Sequence, residues 1–317
     1  MILFGMFGSL MIIFIFHRKP LKQKSCSIYF IANAILSVLF LPFYFLPNIL
    51  TFGFEINWMG MSTWICKFHT AYGAFSATSV FIINCFISFD RYAMSSRSVR
   101  TRSFSSKKMA RILLSIGLLL VICLISTPAM VLFENLPVGI NGTKICTSKS
   151  SIFLLFIALI YYPILEGVLP VLLAIFFWFF TRKHVHSLNN HHLIRYFDKQ
   201  ITRMCLFQIV ICAMASFPFA TITLYRSLTI HVIRNPDEEN LVQFIRYLAI
   251  CLFYLQYCCD FYIYALTFNE IREQTKKILC FCHSHRNDRV ASVQLNTITM
   301  RKLEQITKTN HHLTTRF

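Results

Sequence analysis

The chain has 317 residues, of which 56% are hydrophobic and only 14% charged, with a formal net charge of +18. Soluble domains run about 45–50% apolar and about 25% charged, so this composition argues against a soluble enzyme. Nucleic-acid binding would account for the positive charge but not for long stretches that carry none; a membrane protein with basic loops accounts for both. Twelve cysteines are too sparse for a disulfide scaffold, and with no Cys-x-x-Cys pair a metal centre or other cofactor has no support.

Seven apolar runs follow one another: 1–16, 27–50, 66–89, 111–133, 151–181, 202–225 and 243–267. They lack the two-residue alternation of barrel strands, and all but the first reach the ~20 residues that cross the hydrocarbon as a helix. The first is short, spanning ~24 Å as a helix. A signal peptide would start basic and end at a small-residue cleavage site, whereas here Arg18, Lys19, Lys22 and Lys24 follow the run. The expectation is a first helix whose outer end is missing or mismatched.

Basic residues alternate between the connections. Those four lie in 17–25, none in 51–63, and six in 91–110 (Arg91, Arg97, Arg100, Arg102, Lys107, Lys108). Lys144 and Lys149 follow in 134–150, five in 182–203 (Arg182, Lys183, Arg195, Lys199, Arg203), Arg234 alone in 227–242, then a basic tail. The positive-inside bias puts the odd connections and the C-terminus in the cytoplasm and the N-terminus outside. Asn141-Gly142-Thr143, the one glycosylation sequon, falls in an outside connection. The fold expected is all-α and integral to the membrane: a seven-transmembrane helix bundle over 1–268, a short amphipathic eighth helix over 269–282, and a disordered cytoplasmic tail over 283–317.

The third run ends in Asp90-Arg91-Tyr92, an acid–base pair at the inner membrane boundary. Cys66 stands 25 residues before Arg91, which is ~38 Å along a helix and so the distance between the two faces. Cys146 lies in the next outside connection, where a disulfide can persist. Read alone, the two cysteines are as readily free thiols, and Asp90-Arg91 an ordinary helix-end ion pair.

Taken together, these placements resemble the rhodopsin-like (class A) G-protein-coupled receptors over nearly the whole chain, as a divergent member. The resemblance takes in Gly8, Cys66, Asp90-Arg91-Tyr92, Cys146, Pro170 and Pro218. Asp260-Phe261-Tyr262-Ile263-Tyr264 is similar to the family's Asn/Asp-Pro-x-x-Tyr, with Phe261 replacing proline. The resemblance implies a Cys66–Cys146 disulfide, helix bends at Pro170 and Pro218, candidate palmitoylation at Cys280 and Cys282, and activation machinery at Asp90, Arg91, Tyr92, Asp198, Asp260 and Tyr264. Asp198 stands where the family often has an acid reaching the helix-three arginine; its other reading is a charge that offsets Lys199 and Arg195. Outward movement of helix six would free Arg91 and admit a heterotrimeric G protein.

Several positions depart from the family. Ser9 replaces a helix-one Asn, Ser216 a pivot tryptophan, Cys212 a Phe and Trp178 a Tyr, and no acid stands at Ser37 or Val38, near the family's sodium-binding Asp. These departures leave open a receptor-like protein that no longer signals. A small seven-helix transporter or channel is the rival from another class, against which stand nine glycines and a single mid-membrane acid.

For the outer half, the resemblance puts Gly73 where amine receptors anchor their ligand on an Asp, and Tyr254 where opsins carry the retinal lysine. Both classes are disfavoured. Glu166 is the only acid in the middle of a run, where a carboxylate costs a few kcal/mol unless it faces a polar cavity or is protonated. It reads as an anchor for a cationic ligand group, with Tyr162 one turn outward on the same face, or as a protonated acid bonded to neighbouring helices. Glu55, Glu134, Asp237, Glu238 and Glu239 make the outside connections slightly acidic, which suits a basic peptide. The partners expected are an extracellular ligand, a cationic peptide ahead of an amine, together with a heterotrimeric G protein and membrane lipid, and no nucleic acid. His184, His186, His191 and His192 read as a solvated connector rather than a metal site.

Overall fold

The computed structural model describes residues 1–279 apart from 20, 55, 97, 139–142, 188–191, 230–231 and 233–234. Its helices are α1 (Ile2–Phe16), α2 (Cys26–Thr51), α3 (Thr63–Ser95), α4 (Lys107–Leu132), α5 (Ser151–Thr181), α6 (His192–Leu228) and α7 (Pro236–Thr267). Six of them, α2 to α7, are long and apolar enough to cross a bilayer; α1, with 15 residues, is a shorter apolar helix.

Local chemistry sets several helix ends. Ser106 caps α4 by accepting the Met109 backbone N–H at 3.3 Å. Asn235-Pro236-Asp237-Glu238 opens α7 with a capping box, a proline at the first turn and acids facing the positive end of the dipole. Inside the rods, π-helical segments occupy Leu41–Phe45 in α2, Ile122–Ser126 in α4 and Ile157–Val168 in α5. Pro42 and Pro163 lie within two of these, and Pro128 just beyond the third. Proline has no N–H and its ring clashes with the carbonyl four residues back, so the ladder shifts locally to the wider i→i−5 register.

The third helix is the axis of the bundle: 61% of its most apolar stretch is buried against 17% for α4. Leu119, Leu120 and Leu124 of α4 stay exposed, as expected of a helix whose outer face meets lipid rather than water. Gly8 lets α1 press on α7, since a Cβ there would lie 2.9 Å from the Phe261 Cβ. The rings of Phe16 and Phe30 join α1 to α2 at 5.0 Å.

The connection between α4 and α5 departs from the all-α expectation. It holds an antiparallel hairpin, β1 (Phe133–Val138) and β2 (Thr143–Ser148), in which Asn135 faces Cys146. Cys146 is bonded to Cys66 on α3, with 5.6 Å between the Cα atoms. Asn135 Nδ2 donates to the Met59 and Gly60 carbonyls at 3.1 and 3.2 Å, and Asn57 Nδ2 to the Lys144 carbonyl at 2.9 Å. Strand pairing satisfies the backbone of a segment that the disulfide and these amides fix in place. Asn141-Gly142, a strong hairpin-turn dipeptide, is the signal for it in the sequence.

A separate compact unit begins at Asn269 and includes α8 (Asn269–Leu279), whose Gln274 donates to Glu270 at 3.0 Å and whose Arg272 donates to Asn269. The candidate palmitoylation sites Cys280 and Cys282, the glycosylation candidate Asn141 and the tail 283–317 lie outside the described residues.

Candidate functional site

A cavity of about 140 Å³ lies within the bundle on the hairpin side. Aromatic rings from several helices surround it: Tyr44, Tyr161, Tyr162, Phe219, Phe253 and Tyr254. Tyr44 closes the wall between α2 and α3, stacking on His69 at 4.4 Å and 15°. Gly73 makes that possible, because a Cβ at this position would overlap the Tyr44 ring. The place where the family resemblance puts an amine anchor is thus filled by a tyrosine from the neighbouring helix. Tyr254 also lines the cavity, its hydroxyl accepting from Asn48 Nδ2 at 3.1 Å.

Glu166 reaches this cavity from α5, with 2% of its surface exposed. Tyr161 Oη donates to its Oε1 at 2.5 Å, and Thr78 Oγ1 on α3 lies 3.2 Å from the same oxygen and 2.7 Å from the tyrosine hydroxyl. Its Oε2 has no hydrogen-bond partner among the described residues. The neighbour expected on the same face is Tyr162. The π register of Ile157–Val168 brings round the residue five positions back, and Tyr161 takes that place. Tyr162 instead meets Phe219 of α6 edge-on at 5.0 Å, and both rings line the cavity.

Above the cavity, the acids of the connections have local duties. Glu134 on β1 meets Lys149 at 2.6 Å and Lys67 of α3 at 3.4 Å. The Lys149 ammonium, with Lys67 beside it, holds the Glu134 carboxyl below its ordinary value. Glu238 belongs to the α7 capping box, and Glu239 approaches Arg226 of α6 at 3.8 Å.

A second constellation joins α2, α3, α6 and α7 through buried side chains. Asp260 accepts from Asn33 Nδ2 at 2.8 Å on one oxygen and from Gln208 Nε2 at 3.4 Å on the other. Gln208 also donates to Asn84 Oδ1 at 3.0 Å and accepts from the Tyr264 hydroxyl at 2.5 Å. Cys212, one turn further along α6, donates to Gln256 Oε1 at 3.1 Å. The cavity beside these groups is about 10 Å³, roughly one water in size. Asp260 and Tyr264, both expected in the activation machinery, meet here through Gln208, a residue that belongs to none of the motifs carrying the resemblance. Its signal in the sequence is an amide ten residues before Pro218, inside an apolar run.

At the far end of α3, Asp90 and Arg91 are 2% and 4% exposed, with Arg91 Nη2 2.5 Å from Asp90 Oδ2. Ser25 and Ser105 donate to the other Asp90 oxygen at 2.7 and 2.9 Å. Tyr92 packs against Phe177 and Phe180 at 5.9 and 6.2 Å. Asp198 sits on the first turns of α6, with its side chain outside the described residues. Pro170 follows directly on the π segment of α5, and Pro218 lies inside α6.

A bundle of apolar helices enclosing an aromatic cavity, with an Asp-Arg pair at the opposite end of its central helix, defines a class of membrane receptor. The family described as 7 transmembrane receptor (rhodopsin family) matches residues 8–264. The chain belongs to that family, whose members are receptors rather than enzymes, and is a multi-pass membrane protein. No curated protein sequence matches it.

Proposed function

We propose that the protein is a plasma-membrane receptor that binds an extracellular ligand in the aromatic cavity and activates a heterotrimeric G protein by outward movement of α6. In this reading α1 counts as the first of seven transmembrane helices, the N-terminus and the hairpin lie outside, and α8 rests on the inner membrane surface. Asn141 would carry a glycan, and Cys280 and Cys282 would carry acyl chains. Residues 1–268 form the receptor domain, 269–282 the amphipathic helix and 283–317 a cytoplasmic tail.

The observation that carries the proposal is the buried Asp90–Arg91 pair, clasped by Ser25 and Ser105 at the end of α3 away from the cavity. A charge pair that is desolvated and shared with hydroxyls on neighbouring elements supports a two-state element that helix movement releases. Tyr264 bonded to Gln208 joins α7 to the helix that must move, and Asp198 would add a second hold on Arg91.

The reading that the ligand is a cationic peptide rests on the acids of the outer connections. Glu134, Glu238 and Glu239 serve contacts within the fold, so the charge that a ligand meets in the cavity is Glu166. The test of coupling is G-protein dissociation in cells expressing the full chain at matched surface levels. Replacing Asp90 by Asn or Asp198 by Ala should raise the ligand-independent signal, and Arg91→Ala should remove it. A flat response in all three variants identifies a receptor fold that does not signal.

A further inference from the structure

We infer that the cavity takes a small primary amine built on a single aromatic ring, its ammonium paired with the Glu166 carboxylate. The inference rests on the receptor reading for the purpose of the cavity, and three observations carry it.

The first is charge. Glu166 is the one charged side chain among the described residues lining the cavity, and its Oε2 is buried without a partner while Oε1 is held by Tyr161 and Thr78. A carboxylate oxygen among hydrocarbon walls is costly, and a cationic guest removes that cost where a neutral or anionic one does not.

The second is size. About 140 Å³ matches an apolar cavity known to house a benzene ring, so a single ring fills most of it.

The third is the walls. Tyr162, Phe219, Phe253 and Tyr254 offer edges and faces to a ring, and tyrosine faces attract an ammonium as well. The geometry also fixes direction. Tyr44 fills the space over Gly73, so the anchor comes from α5, and the ring of the guest points from there towards Phe219 and Phe253. The amine class that Gly73 disfavours on α3 returns through α5.

The test is binding to the full chain in lipid nanodiscs, read as a shift of the thermal unfolding midpoint. The probes are 2-phenylethylamine, 2-phenylethanol with the same ring and chain but no charge, 3-phenylpropanoate, and a tetralysine peptide. The amine alone should raise the midpoint, and Glu166→Gln should raise its half-maximal concentration about tenfold or more. An alcohol as effective as the amine, an amine response that survives E166Q, stabilisation by tetralysine instead, or no response to any probe would each overturn the proposal. Should E166Q fail to fold, the contrast between amine and alcohol on the unsubstituted chain decides. Because the readout is binding, the ligand class is settled even for a receptor that does not couple to G protein.

Discussion

Besides Asp90 at the end of α3, two carboxylates among the described residues are buried between the helices of this bundle, and their surroundings differ. Asp260 has both oxygens engaged, by Asn33 from α2 and Gln208 from α6, beside a cavity of about 10 Å³. Glu166 has one oxygen engaged and faces a cavity of about 140 Å³. Glu166 leaves one oxygen unmet on a side chain that lines the larger cavity, whereas both Asp260 oxygens are met from other helices. The first arrangement suits a visiting molecule and the second a contact that changes with helix position.

The largest effect should come from the tie that holds the roof of the larger cavity. The Cys66–Cys146 bond closes a loop of 80 residues, for which removal costs about 2–4 kcal/mol. Cys146→Ser should lower the thermal midpoint of the purified protein, and reductant should do the same to the unsubstituted chain and nothing further to the variant. A midpoint indifferent to both would show that Asn135, Asn57 and strand pairing hold the hairpin unaided.

Next comes the direct comparison. Asp260→Leu strands the Asn33 amide, at about 1–3 kcal/mol for a buried group left unmet, while Gln208 keeps Asn84 and Tyr264. Glu166→Leu releases only two hydroxyls, and these already lie 2.7 Å apart, near enough to bond each other. Its cost should stay within about 1 kcal/mol. Equal losses in the two variants, measured as thermal midpoints in one detergent, would erase the distinction between them.

Much of this is legible in the sequence and some is not, for physical reasons. Apolar runs mark the helices because lipid demands continuous hydrocarbon, six of them being long enough to cross a bilayer, and Cys66, Arg91, Pro218 and Asp260 carry the resemblance to the family. Which side chains meet across helices depends on register. A π turn moves the partner of Glu166 from Tyr162 to Tyr161, and hydropathy holds no trace of that shift. Gln208 is visible as a polar residue in an apolar run, yet its three partners sit on two other helices, and only the packed bundle brings them together. The hairpin escapes because a membrane reading treats what lies between two spans as loop.

A smaller effect tests whether the Asp260 cluster is a switch. Gln208→Leu removes the acceptor of Tyr264 and the donor of Asn84 while keeping the bulk of the side chain. Interhelical hydrogen bonds in membranes average about 0.6 kcal/mol and reach about 1.7, so ligand-independent signalling should rise about threefold to twentyfold at equal surface expression. Unchanged basal signal together with a lowered thermal midpoint would make Gln208 a packing residue, and Asp260 no more of a switch than Glu166.

The smallest effect lies at the rim, where the larger cavity is joined to solvent-exposed chemistry. Glu134 has its carboxyl held below the ordinary 4.5 by Lys149 first and Lys67 second. A depressed folded value means that the contacts add stability above pH 4.5 and that this contribution fades as pH falls through the lower folded value. Protection of the β1 and β2 amides, taken as exchange relative to that of an unstructured chain at the same pH, should therefore drop as pH falls below 4.5, more at low salt than at high, because these pairs are partly exposed and screened. Glu134→Gln should show the lower protection throughout and lose the acid dependence of protection, while the disulfide keeps the hairpin attached in both. The same acid step in the Gln variant would assign it to some other group, and would leave the roof of the cavity held by Cys66–Cys146 and the two asparagines alone.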